Sequence, residues 1–359
     1  MNEAMHRHAD ANRMDGPMTP MPAAPAVFPA ASPAVGRAAV MAVPLLLSLA
    51  CLPSVASAQG QQPWPSRPLR VVVGFTAGGP VDLVARIVSP RLSAQLGQPV
   101  IVENRPGADA NIAMETVARA SPDGHTLLLI QPGVAINPPL YRKVPFDPIK
   151  DFAPISLIGE SPNLVAVYNG LQANTMQELL ALARAKKGGL FYGATSSPTH
   201  LATELLNTLA GVQTTRVPFK GAPPALAALM SGEVQIVLSS IGTLLPLAKA
   251  GKVRALAVTS AKRSAVAPDL PTVQESGVPG FVATTWYGLA ATGGTPRPVI
   301  DRLNAEVRKV LAEPEVRTQL AGQGIDEPSP GTPEQLAALI RSELVKWEKV
   351  VRASGAGIN

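Results

Sequence analysis

From Leu69 the chain repeats one phrase: a short apolar run, a glycine turn, and a longer segment with apolar residues at helical spacing. Leu69 to Phe75 is a continuous run rich in β-branched residues, and Thr76-Ala77-Gly78-Gly79 breaks it. Val81, Val84, Val88 and Leu92 then recur at i, i+3 and i+4, which predicts a helix from Pro80 to Leu96 that stops at Gly97. The phrase returns as a strand at Pro99 to Glu103, a loop at Asn104-Arg105-Pro106-Gly107, a helix near Ala110 to Arg119 and a strand at Thr126 to Ile130. Runs that lack polar alternation, separated by amphipathic helices, require a mainly parallel sheet covered on both faces, the α/β class.

A proline-rich stretch, Asn137 to Pro154, interrupts the series before Ser156 to Ile158 and Leu164 to Tyr168 lead towards a second sheet. Thr175-Met176-Gln177-Glu178 has the spacing of a capping box, and three strand–helix units follow, closed by a strand at Arg254 to Val258. The last third holds a strand at Thr284 to Ala291, helices at Pro298 to Leu311 and Pro314 to Ala321, and a terminal helix opened by Thr332-Pro333-Glu334-Gln335. Two α/β sets predict two lobes: residues 59–163 with 285–359, and residues 164–284. In such sheets ligands gather outside the carboxyl ends of the strands, where helix N-termini collect. The loops Thr76 to Asp82, Gln131 to Asn137, Gly193 to His200 and Ser239 to Thr243 are therefore the expected cleft walls. A hinge is expected where the chain crosses between lobes, near Ser161 to Leu164 and Phe281 to Trp286.

The first 58 residues read as an export signal with an N-terminal extension. Ala38 to Pro53 is apolar, and Val55-Ala56-Ser57-Ala58 offers small residues for cleavage after Ala58. The apolar run falls short of the ~20 residues that span a bilayer. Cys51, in Ser48-Leu49-Ala50-Cys51, invites a lipoprotein reading, but the downstream cleavage site removes it with the signal. The mature chain then has no thiol, hence no disulfide, cysteine nucleophile or thiolate metal site. Net charge is +6 with the basic residues scattered, which gives no stripe for nucleic acid.

Chemistry-bearing motifs are sparse. Past the signal there are two histidines, His125 in a turn before a strand and His200 at a helix start, and no G-x-S-x-G elbow. Ser196 or Ser197 with His200 could form a hydrolytic pair, although Ser196-Ser197-Pro198-Thr199 also reads as a helix-capping loop. Neither a zinc-ligand spacing nor a phosphate-loop pattern is present. Gly78-Gly79 between strand and helix still suits an anion, because a helix N-terminus offers unpaired N–H groups and positive potential. Asp82 in the first turn disfavours a phosphate and suits a carboxylate bearing a hydroxyl or amine; it reads equally as an ordinary first-turn acid. Gly78 and Gly79 are both expected at positive φ, so that Val at either would block the loop.

Several segments are more specific: Trp64-Pro65-Ser66-Arg67-Pro68-Leu69, Phe75-Thr76-Ala77-Gly78-Gly79-Pro80, Val102-Glu103-Asn104-Arg105-Pro106-Gly107, Pro122-Asp123-Gly124-His125, Val217-Pro218-Phe219-Lys220-Gly221 and Asp269-Leu270-Pro271-Thr272. In this order and spacing the chain resembles the substrate-binding proteins of tripartite tricarboxylate transporters, the Bug-type periplasmic receptors. The resemblance implies a two-lobe Venus-flytrap fold of the type II periplasmic-binding-protein class, without cofactor, metal or catalysis. It implies that a small organic carboxylate is held through backbone groups and water and passed to membrane subunits; a monomer is expected, and the scattered charge gives no nucleic-acid partner. The expected ligand contacts are Thr76, Ala77, Gly78, Gly79, Asp82, Gly133 and Asn137 from one lobe, and Ala194, Thr195, Ser196, Ser197, His200, Ser239 and Ser240 from the other. Ser239-Ser240 and Pro198 depart from the usual pattern of such receptors. The competing readings are an exported hydrolase using the Ser–His pair and a ligand sensor for a signalling partner.

Overall fold

The strand–turn–helix units assemble into two five-stranded sheets in the computed structural model, which describes residues 64–357 except Lys187 and Asp326. The export signal, Cys51 and the Ala58 cleavage site lie outside the described residues.

In the first sheet, β1 (Leu69–Val73) pairs in parallel with β2 (Val100–Asn104) and β3 (Thr126–Ile130). α1 (Pro80–Leu96) and α2 (Asn111–Ala118) connect them, and α1 ends at Gly97 with φ 69°, the left-handed stop that glycine makes cheap. β4 (Phe152–Ser161) leaves this sheet and β5 (Asn163–Val167) enters the second, with Pro162 between them. There β6 (Phe191–Ala194), β7 (Thr215–Pro218), β8 (Ile236–Ser240) and β9 (Arg254–Val258) join it in the order β7-β6-β8-β5-β9. β10 (Thr285–Thr292) then returns to the first sheet, order β2-β1-β3-β10-β4. Each incoming strand, β5 or β10, lies antiparallel to both its neighbours, so both sheets are mixed, with the other strands running one way.

Two segments depart from the sequence reading. Gly133–Leu140, expected as loop running into a proline-rich stretch, is a helix, α3, with Pro138 and Pro139 inside its last turn. Burial of Val134, Ala135, Ile136 and Leu140, each 0 or 1% exposed, offsets the lost N–H groups at about 1.5–3 kcal/mol per large side chain. β4 begins at Phe152 inside the expected proline-rich break. It tolerates Pro154 because it is an edge strand bonded to β10 alone, with register shifts along the ladder.

The second lobe carries α4 (Met176–Lys186), α5 (Ser197–Ala210), α6 (Ala222–Ser231) and α7 (Ile241–Lys249). After β10 come α8 (Arg297–Ala312) and α9 (Pro314–Ala321), whose Ile300, Leu303, Val307 and Leu320 pack with α1 on one face of the first sheet. The last helix, α10 (Pro333–Ser354), opens on the Thr332 cap with Gln335 donating its N–H to Oγ1. It packs on α3 and β4 of the first lobe and α5 of the second. A continuous apolar cluster follows it, from Val72, Leu128 and Ile136 through Ile340, Trp347 and Val351 to Leu201, Val165 and Leu238.

Candidate functional site

A cavity of about 500 Å³ lies between the sheets. Its wall is built from the turns that follow β1, β6, β7 and β8, each of which runs into the N-terminus of a helix: α1, α5, α6 and α7. Four helix starts facing one space bring together N–H groups that have no intrahelical acceptor, together with the positive ends of four peptide dipoles. Gln131, after β3, and Asn163, Thr285 and Tyr287, from the crossing strands, complete the lining. Lys220 is the one basic side chain among the described residues that line the cavity, and no acidic side chain does so.

The α1 end shows how the sequence shapes this wall. Gly78 has φ 80°, a conformation costly for any residue with a Cβ, and its N–H donates to Asp82 Oδ2 at 2.8 Å. Gly79 is extended, with φ −77° and ψ 165°, and bonds back to Thr76 O at 3.3 Å. The expectation of positive φ therefore holds for Gly78 and fails for Gly79, which as N-cap must be extended. Asp82 is 1% exposed and also accepts from Arg86 Nε and Asn104 Nδ2, both at 2.9 Å. Burial pushes its carboxyl up, but the bonds from Arg86, Gly78 and Asn104 outweigh burial and hold it below the usual value.

Of the residues expected at the site, Thr76, Ala77, Gly78, Gly79, Thr195, Ser196, Ser239 and Ser240 line the cavity. Asp82, Gly133, Asn137, Ala194, Ser197 and His200 stand behind it. Asp82 is spent on bracing the turn. Gly133 starts α3, donates its N–H to Gln131 Oε1 at 3.0 Å, and leaves room for Gln131 where a Cβ would clash. Ala194 O accepts Phe219 N–H at 2.8 Å, so it serves the β6–β7 edge. Ser197 Oγ donates to Asn137 Oδ1 at 2.6 Å, across the boundary between lobes.

His200 is buried against Tyr192, whose hydroxyl donates to Glu204 at 2.6 Å and lies within hydrogen-bond distance, 2.7 Å, of His200 Nδ1. Burial, then the Arg216 charge, pushes the imidazole down to about 4, so it is neutral near pH 7. Among the described residues neither Ser196 nor Ser197 bonds to it: Ser196 Oγ faces Thr199 Oγ1 at 3.3 Å, and Ser197 is committed to Asn137. The Ser–His pair considered from sequence is not assembled.

Gln131 and Thr243 line the cavity from loops expected as its walls, whereas Asn163, Lys220, Thr285 and Tyr287 line it without having been expected there. The β7–α6 turn carried a legible signal. Phe219-Lys220-Gly221 repeats the strand–glycine–helix phrase of the β1–α1 turn, with Gly221 at φ 95° and prolines in the first turn of α6. Asn163, Thr285 and Tyr287 lie within strands, where nothing local distinguishes a cavity-facing residue from a core one.

A cleft of this form between two such sheets agrees with what is known of similar chains. The model of the tripartite tricarboxylate transporter family receptors matches residues 84–356. The chain belongs to this receptor family. The R. palustris protein Rpa4515, solved with adipate, is 38% identical, with a TM-score of 0.76 over 81% of this chain and 98% of that one. MatC (Rpa3494) of Rhodopseudomonas palustris, solved with bound malate, is 36% identical, with a TM-score of 0.70 over 80% and 99%. The periplasmic binding protein BugD is 32% identical, with a TM-score of 0.73 over 82% and 99%. The chain is thus a two-lobe solute-binding receptor of a tripartite transporter system, and its relatives place it in the periplasm.

Proposed function

We propose that this receptor takes a small dicarboxylate between its lobes, without catalysis, metal or cofactor, and delivers it as a monomer to membrane subunits after cleavage of the signal at Ala58. One observation carries the ligand class: four helix N-termini and Lys220 face a cavity that no carboxylate side chain lines. Such a space favours anions. The first carboxylate sits at the Thr76–Gly79 turn and the α5 start, held by N–H groups and water; the second lies towards Lys220 and the α6 and α7 starts. Adipate and malate, bound by two relatives, have this chemistry. The lobes close by rotation about the two crossing segments, because a ligand bridging both binds the closed form better and shifts the population towards it.

A melting-shift panel of mono-, di- and tricarboxylates, amino acids and phosphate esters tests this. A ligand at a hundred times its Kd stabilises by about 2.7 kcal/mol. A dicarboxylate is expected to give the largest shift and to reduce the radius of gyration in small-angle scattering. Turnover of any ester or phosphate, or a largest shift with an uncharged solute, refutes the reading.

A further inference from the structure

Ala108, Asp109 and Ala110 have φ of 46°, 55° and 71°, three successive non-glycine residues in the left-handed region. Asp tolerates this conformation; alanine does so only at a cost of about 1 kcal/mol or more. The strained turn directs Asp109 towards the other lobe. Its Oδ2 accepts the Ser197 N–H at 2.6 Å and the Tyr141 hydroxyl at 3.4 Å, and its carbonyl accepts Asn137 Nδ2 at 2.9 Å. Asn137, 0% exposed, also donates to Asn111 Oδ1 at 2.7 Å and accepts the Ser197 hydroxyl at 2.6 Å.

Ser197 is the first residue of α5, so its N–H is one of the donors that a helix cannot satisfy internally. Here it is satisfied by a carboxylate of the opposite lobe, placed at the positive end of the helix. The residues on either side of it, Ser196 and Pro198, line the cavity. Burial pushes the Asp109 carboxyl up, while the bonds from Ser197 and Tyr141 and the charge of Arg216 oppose that.

We propose that Asp109, supported by Asn137, is a positioning residue of the receptor: it grips the α5 N-terminus across the lobe boundary and so sets where the β6–α5 turn stands over the cleft when the lobes are together. The inference rests on the reading of that cleft as a carboxylate site, and the α5 start is then shared between the ligand on one side and Asp109 on the other. A lobe separation that withdraws α5 must break these bonds, so the grip adds to the affinity of any ligand that needs the closed form.

The test uses Asp109→Gly, which deletes the carboxylate while relieving the left-handed strain, so the fold is spared. Asp109→Asn is the conservative partner, since asparagine keeps an acceptor and tolerates the conformation. Adipate affinity is measured by calorimetry. Interlobe distances are measured by pulsed electron resonance between labels at Arg308→Cys on α8 and Lys249→Cys on α7, both exposed, in a chain carrying Cys51→Ala. Asp109→Gly is expected to bind adipate about tenfold or more weakly and to broaden the interlobe distances at temperatures where the variant is fully folded, whereas Asp109→Asn restores both. Wild-type distances and affinity in Asp109→Gly overturn the proposal. If the wild-type chain takes no adipate, the carboxylate reading falls by itself; the ligand-free distances still judge the grip, and an unchanged distribution in Asp109→Gly overturns it.

Discussion

Replacing Asp82 by Ala separates a residue that touches ligand from one that shapes the site. Its carboxylate is 1% exposed and accepts three hydrogen bonds, from the Gly78 N–H, Arg86 Nε and Asn104 Nδ2. Arg86 is half exposed and can turn to water when its partner is lost, so that bond counts for about 0–1 kcal/mol. The other two donors lose a charged acceptor beside buried surroundings, at about 1–3 kcal/mol each. The sum is a loss of about 2–7 kcal/mol, read as a lowered urea midpoint at an unchanged m-value. Asp82→Asn keeps one acceptor and should fall between Ala and wild type. The consequence for binding goes beyond stability, because the freed Gly78 N–H no longer fixes the turn at φ 80° and the ligand must order it. Adipate affinity should then drop about tenfold even at temperatures where the variant is fully folded. Since the folded-state carboxyl lies below its unfolded value, its contribution is present above the unfolded pKa near 3.8 and fades as pH falls through the lower folded value. The Asp82→Ala variant should show a shallower acid-side loss. An unchanged midpoint together with lost binding would refute this reasoning and return Asp82 to the ligand.

Gly78→Val should cost about 1–2 kcal/mol through its φ of 80° and also weaken binding, whereas Gly79→Val, whose φ is ordinary, should leave the Tm nearly unchanged and weaken binding alone; equal Tm losses in the two variants contradict the assignment. Burial and the nearby Arg216 hold His200 at about 4, below the unfolded 6.5, so the unfolded chain protonates first and stability declines as pH drops between these values. The decline is about 3 kcal/mol at most. Asp109, shifted the other way, acts in the opposite sense, so the difference between wild type and His200→Gln isolates the histidine; a difference independent of pH from 7 to 4 refutes it. Lys220→Met should reduce dicarboxylate affinity about tenfold and leave a monocarboxylate nearly unaffected, and equal losses for both would take Lys220 away from the second carboxylate.

The order of strands and helices was legible because each unit carries its own punctuation. Pro80 to Leu96 coincides with α1, since proline at its start, apolar spacing along it and Gly97 after it all agree. Two units were not legible. α3 exists against its own prolines, because Val134, Ile136 and Leu140 find a buried surface that only the assembled lobes provide. β4 admits Pro154 because it lies at an edge, and edge position is a property of the sheet. The cavity wall was partly legible for the same reason. A glycine turn leading into a helix marks Thr76–Gly79 from local chemistry, but Asp82 and His200 also turn towards neighbouring strands, to Asn104 of β2 and Tyr192 of β6, and Ser197 towards the other lobe. Ser197 bonds residues 88 and 60 positions earlier in the chain, a relation no local pattern encodes.

The strands that carry the chain between lobes also reach the cavity, and this joins binding to motion. Asn163, first residue of β5, pairs with Ser240 of β8, takes the Thr259 hydroxyl as acceptor for its N–H at 2.8 Å, and donates Nδ2 to Ala283 O at 3.0 Å. The Thr259 hydroxyl in turn donates to Ala283 O at 2.9 Å, while Thr285 opens β10 opposite Ser161 and donates to Asn163 Oδ1 at 3.4 Å. The outgoing and returning segments are therefore tied side by side through one asparagine whose side chain also faces the cavity. A ligand group placed against Asn163 or Thr285 alters the hydrogen-bond balance at the crossing itself. The antiparallel entry of β5 and β10 is what permits it, because each strand starts at the lobe boundary and runs away from it into the middle of its new sheet. On the proposed rotation of the lobes, contact with solute and freedom to rotate would depend on the same few residues.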